Sequence, residues 1–329
     1  MSASLTVVKP GMLTTVQDLG RRGYQGLGVP VSGPMDVYSH RVATLVLGNH
    51  PMAAALEITL LGPELVADGK VTCAVAGAEI DVLVDDNPVA WNRPFDVPSS
   101  GRIRFAGRHN GARLSLAVRG GFDVPPTLGS RSTHLVSRMG PFGGRSLRAG
   151  DVLPVGSMTT GSAAMVLPKP LDLPQGGARL RIVPAVHRER FTDDAWRVLV
   201  GARFIVTPQS NRMGYRLDGP TLTHVAEADI LSEAMPIGAI QVPASGQPIL
   251  LLAETATTGG YATIANVITA DLPVAGQLAP GDWISFDEVS HAGALAALRA
   301  REASLTWVRL GSERRSGIRP TSERGRSGD

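Results

Sequence analysis

The chain is poor in the side chains that build covalent or metal chemistry. It has one cysteine, Cys73, in 329 residues. No disulfide can form within the chain. Cys73 lies inside the apolar run Val71–Ala76, which points to burial as a small hydrophobe rather than to a nucleophile. The seven histidines are scattered without ligand spacing, so a catalytic metal is not expected. Also missing are the Gly-x4-Gly-Lys-Ser/Thr loop for nucleotide phosphates, the His-Glu-x-x-His pair, the Gly-x-Ser-x-Gly elbow and the serine cluster of serine amidases. Gly23-Tyr-Gln-Gly26-Leu-Gly28 has the wrong spacing for a dinucleotide loop. Aromatics are only 5%, and no basic run is interleaved with them. That argues against a stacking platform for bases, so nucleic acid is not an expected partner. No window approaches the length that spans a bilayer, and Met1–Pro10 lacks a basic start followed by an apolar stretch. No membrane association is expected, and the cytoplasm is the default compartment.

Charge is also nearly balanced. The net charge is +3, and residues 311–329 supply +2 of it through five Arg and three acids. That stretch is Ser, Gly and Arg with almost nothing apolar, and is expected to stay disordered. The remaining composition, 43% hydrophobic and 19% charged, is that of a folded globular protein.

Glycine and proline are abundant, with 38 and 24 residues spread along the chain. Together they make up roughly 19%, against about 12% in an average protein. Frequent turn residues between short β-branched runs predict many short strands. Expected strands include Val71–Ala76, Glu79–Val84, Arg102–Ala106, Arg113–Val118, Arg181–Val183, Arg203–Val206 and Ile249–Ala253. Helices are expected over Asp36–Leu47, from a Thr192 cap to Leu199, and from Ser290 to about Ala303. Four matches recur in the same order in both halves: Leu60–Leu65 with Leu217–Leu222, Gly77–Val82 with Gly238–Val242, Asn87–Val89 with Gln247–Ile249, and Leu147–Val155 with Leu278–Phe286. Collinear repetition of turn pairs beside alternating strands implies two related β units.

Four polar, glycine-bearing segments carry the candidate chemistry: Thr14–Arg21, Gly28–Asp36, Gln209–Arg216 and Glu254–Tyr261. Gln209, Ser210, Asn211 and Arg212 place four hydrogen-bonding side chains in a row, suited to a ligand with carbonyl and carboxylate oxygens. The plainer alternative is a solvated turn whose Asn and Ser bond their own backbone, and the residues alone slightly favour it. Thr257, Thr258, Gly259 and Gly260 could cradle an oxyanion with hydroxyls and bare backbone. A tight turn needing positive φ is the simpler alternative there. Asp18 and Glu254 are candidate acid–base groups, each beside an apolar strand. Glu57, a charge within an apolar run, needs a partner if buried, with Arg21 or Arg41 conceivable.

The same segments resemble one known family. Thr14–Arg21, Gly28–Asp36, Leu47-Gly-Asn49, Ala55–Thr59, Arg119–Pro125, Leu128–Thr133, Gln209–Arg216, Thr257–Tyr261 and Ala270-Asp-Leu272 look like allophanate hydrolase subunit 2, also called the C subunit of 5-oxoprolinase. The resemblance runs from about Thr6 to Phe286. It implies a mainly β fold of two cyclophilin-like β-barrel domains with a few short helices. The boundaries expected are a first barrel over 1–160, a linker over 161–177, a second barrel over 178–305 and a disordered Arg-rich tail over 306–329. It implies an ATP-dependent lactam hydrolase subunit, inactive alone, that opens 5-oxo-L-proline to L-glutamate with a B subunit like allophanate hydrolase subunit 1 and a separate A subunit. ATP with Mg would be used by the complex. Two alternatives are a carboxyltransferase acting on urea or allophanate with biotin on another chain, and a regulatory protein acting through its B partner. The oxyanion shell expected is Gln209, Asn211, Arg212, Thr258, Gly259 and Gly260, with Gln17, Asp18 and Arg21 second. Catalytic roles fall to Arg212, Asn211 and Asp18, with Ser210 and Thr257 completing the substrate contacts.

Overall fold

The computed structural model describes residues 3–157 and 171–315. Nine strands form the first unit: β1 (Ser4–Lys9), β2 (Leu13–Gln17), β3 (Ala55–Thr59), β4 (Glu64–Asp68), β5 (Val71–Val84), β6 (Asn87–Pro88), β7 (Pro94–Val97), β8 (Arg102–Val118) and β9 (Val152–Pro154). They bond in the order β2-β3-β8-β4-β1-β9, and β5 joins through β8 while carrying β6 and β7. This is one curled sheet rather than a closed barrel. The four strands expected between Val71 and Val118 are two continuous ones, β5 and β8. Their register shifts between Gly77 and Val82, where extra residues bend the pair.

Alternation divides this sheet into two faces. Val16, Leu56, Ile58, Val75, Leu114 and Leu116 point into the core. The residues between them point outward. Ala55, Ala74, Ala76 and Ala117 make a shallow bed for α1 (Val37–Val46), which lays Tyr38, Val42 and Val46 on it. Asp36 caps that helix, its carboxylate accepting the Ser39 amide at 2.8 Å. Beside the alanines the outer face is polar: Thr15 pairs in register with Glu57, and Glu57 with Ser115. All three are buried, because the second unit docks here.

That second unit contains β10 (Gly177–Pro184), β11 (Phe204–Val206), β12 (Gly214–Asp218), β13 (Asp229–Ala234), β14 (Ala239–Gln241), β15 (Ile249–Leu251), β16 (Thr258–Tyr261), β17 (Thr263–Val267) and β18 (Trp283–Glu288). Seven of these close a barrel in the order β10-β17-β14-β15-β12-β11-β18, and β13 pairs with β16 as a separate ribbon. Leu180, Ile182, Phe204, Leu250, Ile264 and Phe286 fill the barrel. Three further helical segments are α2 (Pro141–Gly144), whose Phe142 and Gly143 are left-handed, α3 (Asp193–Gly201), capped by Thr192, and α4 (Leu272–Ala275).

The last helix, α5 (His291–Arg315), continues past the expected end near Ala303. It lies on α1 of the first unit. Arg41 forms a two-pronged pair with Glu302 at 2.6 and 2.9 Å, Arg301 sits over the Tyr38 ring, and Leu305 is buried. Residues 306–315 of the expected tail are therefore helical, and 316–329 lie outside the described residues, as do 161–170 of the expected linker.

The internal repeat has a structural counterpart. Gly150 and Gly281 both take positive φ, at 88° and 94°. The following aspartates, Asp151 and Asp282, each accept the backbone amide three residues back, at 2.7 and 2.8 Å. Gly62 and Gly219 each lie against a phenylalanine ring, Phe105 and Phe204, where a Cβ would collide.

Candidate functional site at the seam between the units

The four polar segments meet where the units touch. Arg212, just before β12, is 3% exposed. Its Nε donates to Glu254 at 2.7 Å, its Nη1 to Glu57, and its Nη2 to the Gly33 carbonyl at 2.7 Å. Glu57 also accepts the Met35 amide at 2.6 Å. One guanidinium thus ties two buried carboxylates and a loop from different parts of the chain. The partner of Glu57 is Arg212, not Arg21 or Arg41, because strand alternation turns Glu57 outward toward the second unit.

Asp18 is likewise buried, at the end of β2. It accepts from Ser130 at 2.5 Å, the Arg131 amide at 2.5 Å, Ser132 at 2.7 Å and the Gly20 amide at 2.9 Å. These bonds fasten Ser130–Ser132 against the strand end. Arg21 reaches the same loop, donating to the Ser132 carbonyl. Ser32 donates to the Thr133 carbonyl at 2.7 Å, and Gln17 to it at 3.1 Å. His134, next in the chain, places Nε2 3.4 Å from the Glu254 carbonyl oxygen and Nδ1 2.7 Å from the Ser137 hydroxyl. Through His134 and Glu254 the Asp18 cluster and the Arg212 cluster form one network.

Hydrogen-bonding capacity in this network is left over. Gln17 Oε1, Arg21 Nη1, Thr44 Oγ1 and Thr133 Oγ1 are buried without a partner, and the His40 ring nitrogens make no hydrogen bond of full geometry although the Ala53 backbone is close enough to act on the ring. Leaving such groups bare costs about 1–3 kcal/mol each. His40 and Thr44 are one turn apart on α1, and Asp18 acts electrostatically on His40. Burial holds the His40 imidazole down to about 4, against the pull of Asp18 and the Ala53 backbone. Burial also lowers the pKa of Arg21, which the Asp18 charge opposes.

Other candidates are placed differently. Gln209 and Asn211 are exposed, Asn211 Oδ1 accepts the Met213 amide at 2.8 Å, and Ser210 Oγ accepts the Arg216 amide at 3.0 Å. The plainer alternative therefore describes Ser210 and Asn211: their polar atoms serve their own turn. Thr258, Gly259 and Gly260 are extended residues of β16, with Thr257 just before it. Neither glycine has positive φ. Gly259 is required for space, since a Cβ would lie 2.7 Å from Gln241 Nε2.

A second lock went unmarked in the sequence. Arg113 of β8 donates to the Tyr215 hydroxyl at 2.7 Å and to the Gly276 and Leu278 carbonyls. Gln277 donates to Asp36 at 2.6 Å and to the Arg113 carbonyl at 2.8 Å, and accepts the Ala112 amide at 2.9 Å. Burial raises the Asp36 pKa against the bonds from Ser39 and Gln277. His40, His134 and Gln277 were also missed as candidates, since each is a lone polar residue whose partners come from distant strands. The His40–Thr44 spacing on the apolar side of a helix was the one local signal.

Among the described residues, no group of three or more His, Cys, Asp or Glu could hold a metal, and no helix is long and apolar enough to cross a membrane. The family model for the carboxyltransferase domain, subdomain A and B, matches residues 27–288. This span contains most of both units and the Arg212 cluster of the seam, while Gln17, Asp18 and Arg21 precede it. The chain belongs to the carboxyltransferase-domain family. Within it, the chain is 38% identical to the C subunit of 5-oxoprolinase from Escherichia coli, over 92% of this chain and 98% of that protein. It is 32% identical to the urea amidolyase of Lachancea kluyveri, over 93% of this chain but only 18% of that protein. The crystal structure of the K. lactis urea amidolyase superposes with a TM-score of 0.86 at 32% identity, covering 94% of this chain and 20% of that one. The carboxyltransferase-domain fold therefore accounts for both the curled sheet and the closed barrel.

Proposed function

We propose that this chain is the C subunit of a cytoplasmic, ATP-dependent 5-oxoprolinase that opens 5-oxo-L-proline to L-glutamate. The observation that carries the reading is the 38% identity to a 5-oxoprolinase C subunit over 98% of that relative's length. Opening the ring adds water across the lactam C–N bond, so the carbonyl carbon becomes a carboxylate and the nitrogen an amine. An unstrained lactam resists this, and phosphorylation of its oxygen by ATP would supply a leaving group. ATP with Mg is a co-substrate of the assembled complex, which includes a B subunit like allophanate hydrolase subunit 1 and an A subunit.

The substrate shell we assign is the unsatisfied set: Gln17, Arg21, His40 and Thr133. An Arg N–H, an amide oxygen, a hydroxyl and a neutral imidazole complement a small molecule bearing a carboxylate, a carbonyl and an N–H. Asp18 positions the Ser130–Thr133 side of that shell. Arg212 positions the second unit against it and does not itself face substrate. Gln209 and Thr258 remain candidates on the exposed rim. The shell is buried in the isolated chain, which supports its being inactive without partners.

The test is glutamate release from 5-oxoproline and ATP by the complex purified with its A and B subunits, omitting each in turn. Arg21→Ala and Gln17→Ala should abolish turnover in complexes that still assemble. No glutamate from a well-formed complex would sink the assignment. A second reading, carboxyl transfer from biotin on another chain, is favoured by the likeness to urea amidolyase; transfer from carboxybiotin to urea in place of glutamate release would establish it. Loss of a partner's regulation, with neither reaction present, would establish a regulatory role.

A further inference from the structure

Beyond the seam, the segment from His134 to Asp151 builds a separate basic concavity. It encloses about 330 Å³ and is lined by Leu135, Arg138, Arg145, Arg148 and the backbone of Gly143 and Gly144. Its charges are unbalanced. Asp151 is engaged by Arg145 through two bonds, at 2.6 and 2.8 Å, and by the Arg148 amide at 2.7 Å. The Arg148 side chain reaches Asp151 only as a longer-range charge. Among the described residues neither Arg138 nor Arg148 has an ion-pair partner, and both are exposed. Three guanidinium groups and no carboxylate therefore line the concavity, with Asp151 behind Arg145.

The backbone here is held in an uncommon shape. Arg138 and Phe142 take positive φ, at 50° and 54°, as do Gly140, Gly143 and Gly144. Non-glycine residues are uncommon in that region and persist where surrounding contacts impose them. The contacts are visible. His134 and Met139 exchange both backbone bonds, at 2.8 and 3.1 Å. Gly140 lies against the Ser132 carbonyl with a Cβ position 2.5 Å away, and Gly144 packs on the Arg138 backbone. Arg145 stacks over the Phe142 ring. The wall is thus rigid, and its free charges are positive.

We infer that this concavity binds an oxyanion, the carboxylate or phosphate group of a small ligand, through Arg138 and Arg148 with Arg145 as the fixed wall. Guanidinium forks suit both groups, and two free forks on one concavity can hold an oxyanion between them. The site shares the His134 backbone with the seam network but none of the proposed substrate shell.

Calorimetric titration of the full chain tests this, with inorganic phosphate in one arm and L-glutamate in the other, against an Arg138→Ala/Arg148→Ala double variant. Both side chains are exposed, so the variant should fold. Binding weakened at least roughly tenfold in the variant, and weakened by added salt, is the expected result. Phosphate alone would identify a phosphoryl site, glutamate alone a carboxylate site, and both a general oxyanion site. No heat with either ligand at millimolar concentration, or equal binding by the variant, would overturn the inference. The measurement needs no turnover, so it can fail while the 5-oxoprolinase reading stands, and the reverse.

Discussion

Arg212 and Glu57 are 155 residues apart in sequence and joined by a buried hydrogen-bonded ion pair across the two units. The same guanidinium also holds Glu254. Its removal leaves two buried carboxylates without their cation. Arg212→Ala should therefore lower the unfolding free energy by about 3–5 kcal/mol, and Arg212→Lys by less, in urea titrations at pH 7. An unchanged midpoint for Arg212→Ala would show that the pair does not hold the units together.

The close approach of the units can be tested without touching charge. Gly276 has an ordinary helical φ of −60°, but a Cβ there would strike the Met35 backbone and lie 3.1 Å from the Asp36 amide nitrogen. Gly276→Ala adds one methyl and no backbone strain. A loss of about 1–3 kcal/mol is expected. Full stability in the variant would mean that the seam is looser than described.

His40 gives stability a defined pH dependence. Its folded pKa is about 4, below its ordinary value of 6.5. The unfolded chain takes up a proton as pH falls through 6.5, and the folded chain only near 4. Stability from this group is thus complete above 6.5 and is lost progressively between 6.5 and 4, to a total of about 3 kcal/mol. His40→Asn should flatten that part of the stability profile measured by urea unfolding. An identical slope in variant and parent would refute the assignment.

Cys73 is fully buried and its thiol is pushed far up, first by burial and then by the Asp96 charge. It should resist a disulfide reagent at pH 8 in the folded chain and react fully in guanidinium chloride. Rapid labelling of native protein would contradict its position in the β5 core.

How much was legible beforehand varied with the range of the interaction. Asp36 and Thr192 announce their helices, because a cap acts within three residues. The Gly150-Asp151 and Gly281-Asp282 turns announce the repeat, because each aspartate bonds an amide three residues away. The site was legible in part. Asp18, Arg21 and Gln17 were recognisable as polar residues beside apolar strands, while His40, His134 and Gln277 were not. Arg212 stood out in the sequence as a polar residue before a glycine, while the two carboxylates that its guanidinium bonds, Glu57 and Glu254, lie too far along the chain to be paired with it by spacing.

The sequence by itself determined the β-rich class and the starts of α1, α3 and α5, since these rest on local spacing and turn chemistry, and it carried the collinear repeat and the motifs by which the chain resembles its family. The tertiary structure alone decided that the first unit is a curled sheet, that its outer face is an interface, and which polar groups remain unsatisfied there. Those outcomes depend on which strands meet across more than a hundred residues, and alternation within a strand says only that a side chain faces outward, not what comes to cover it.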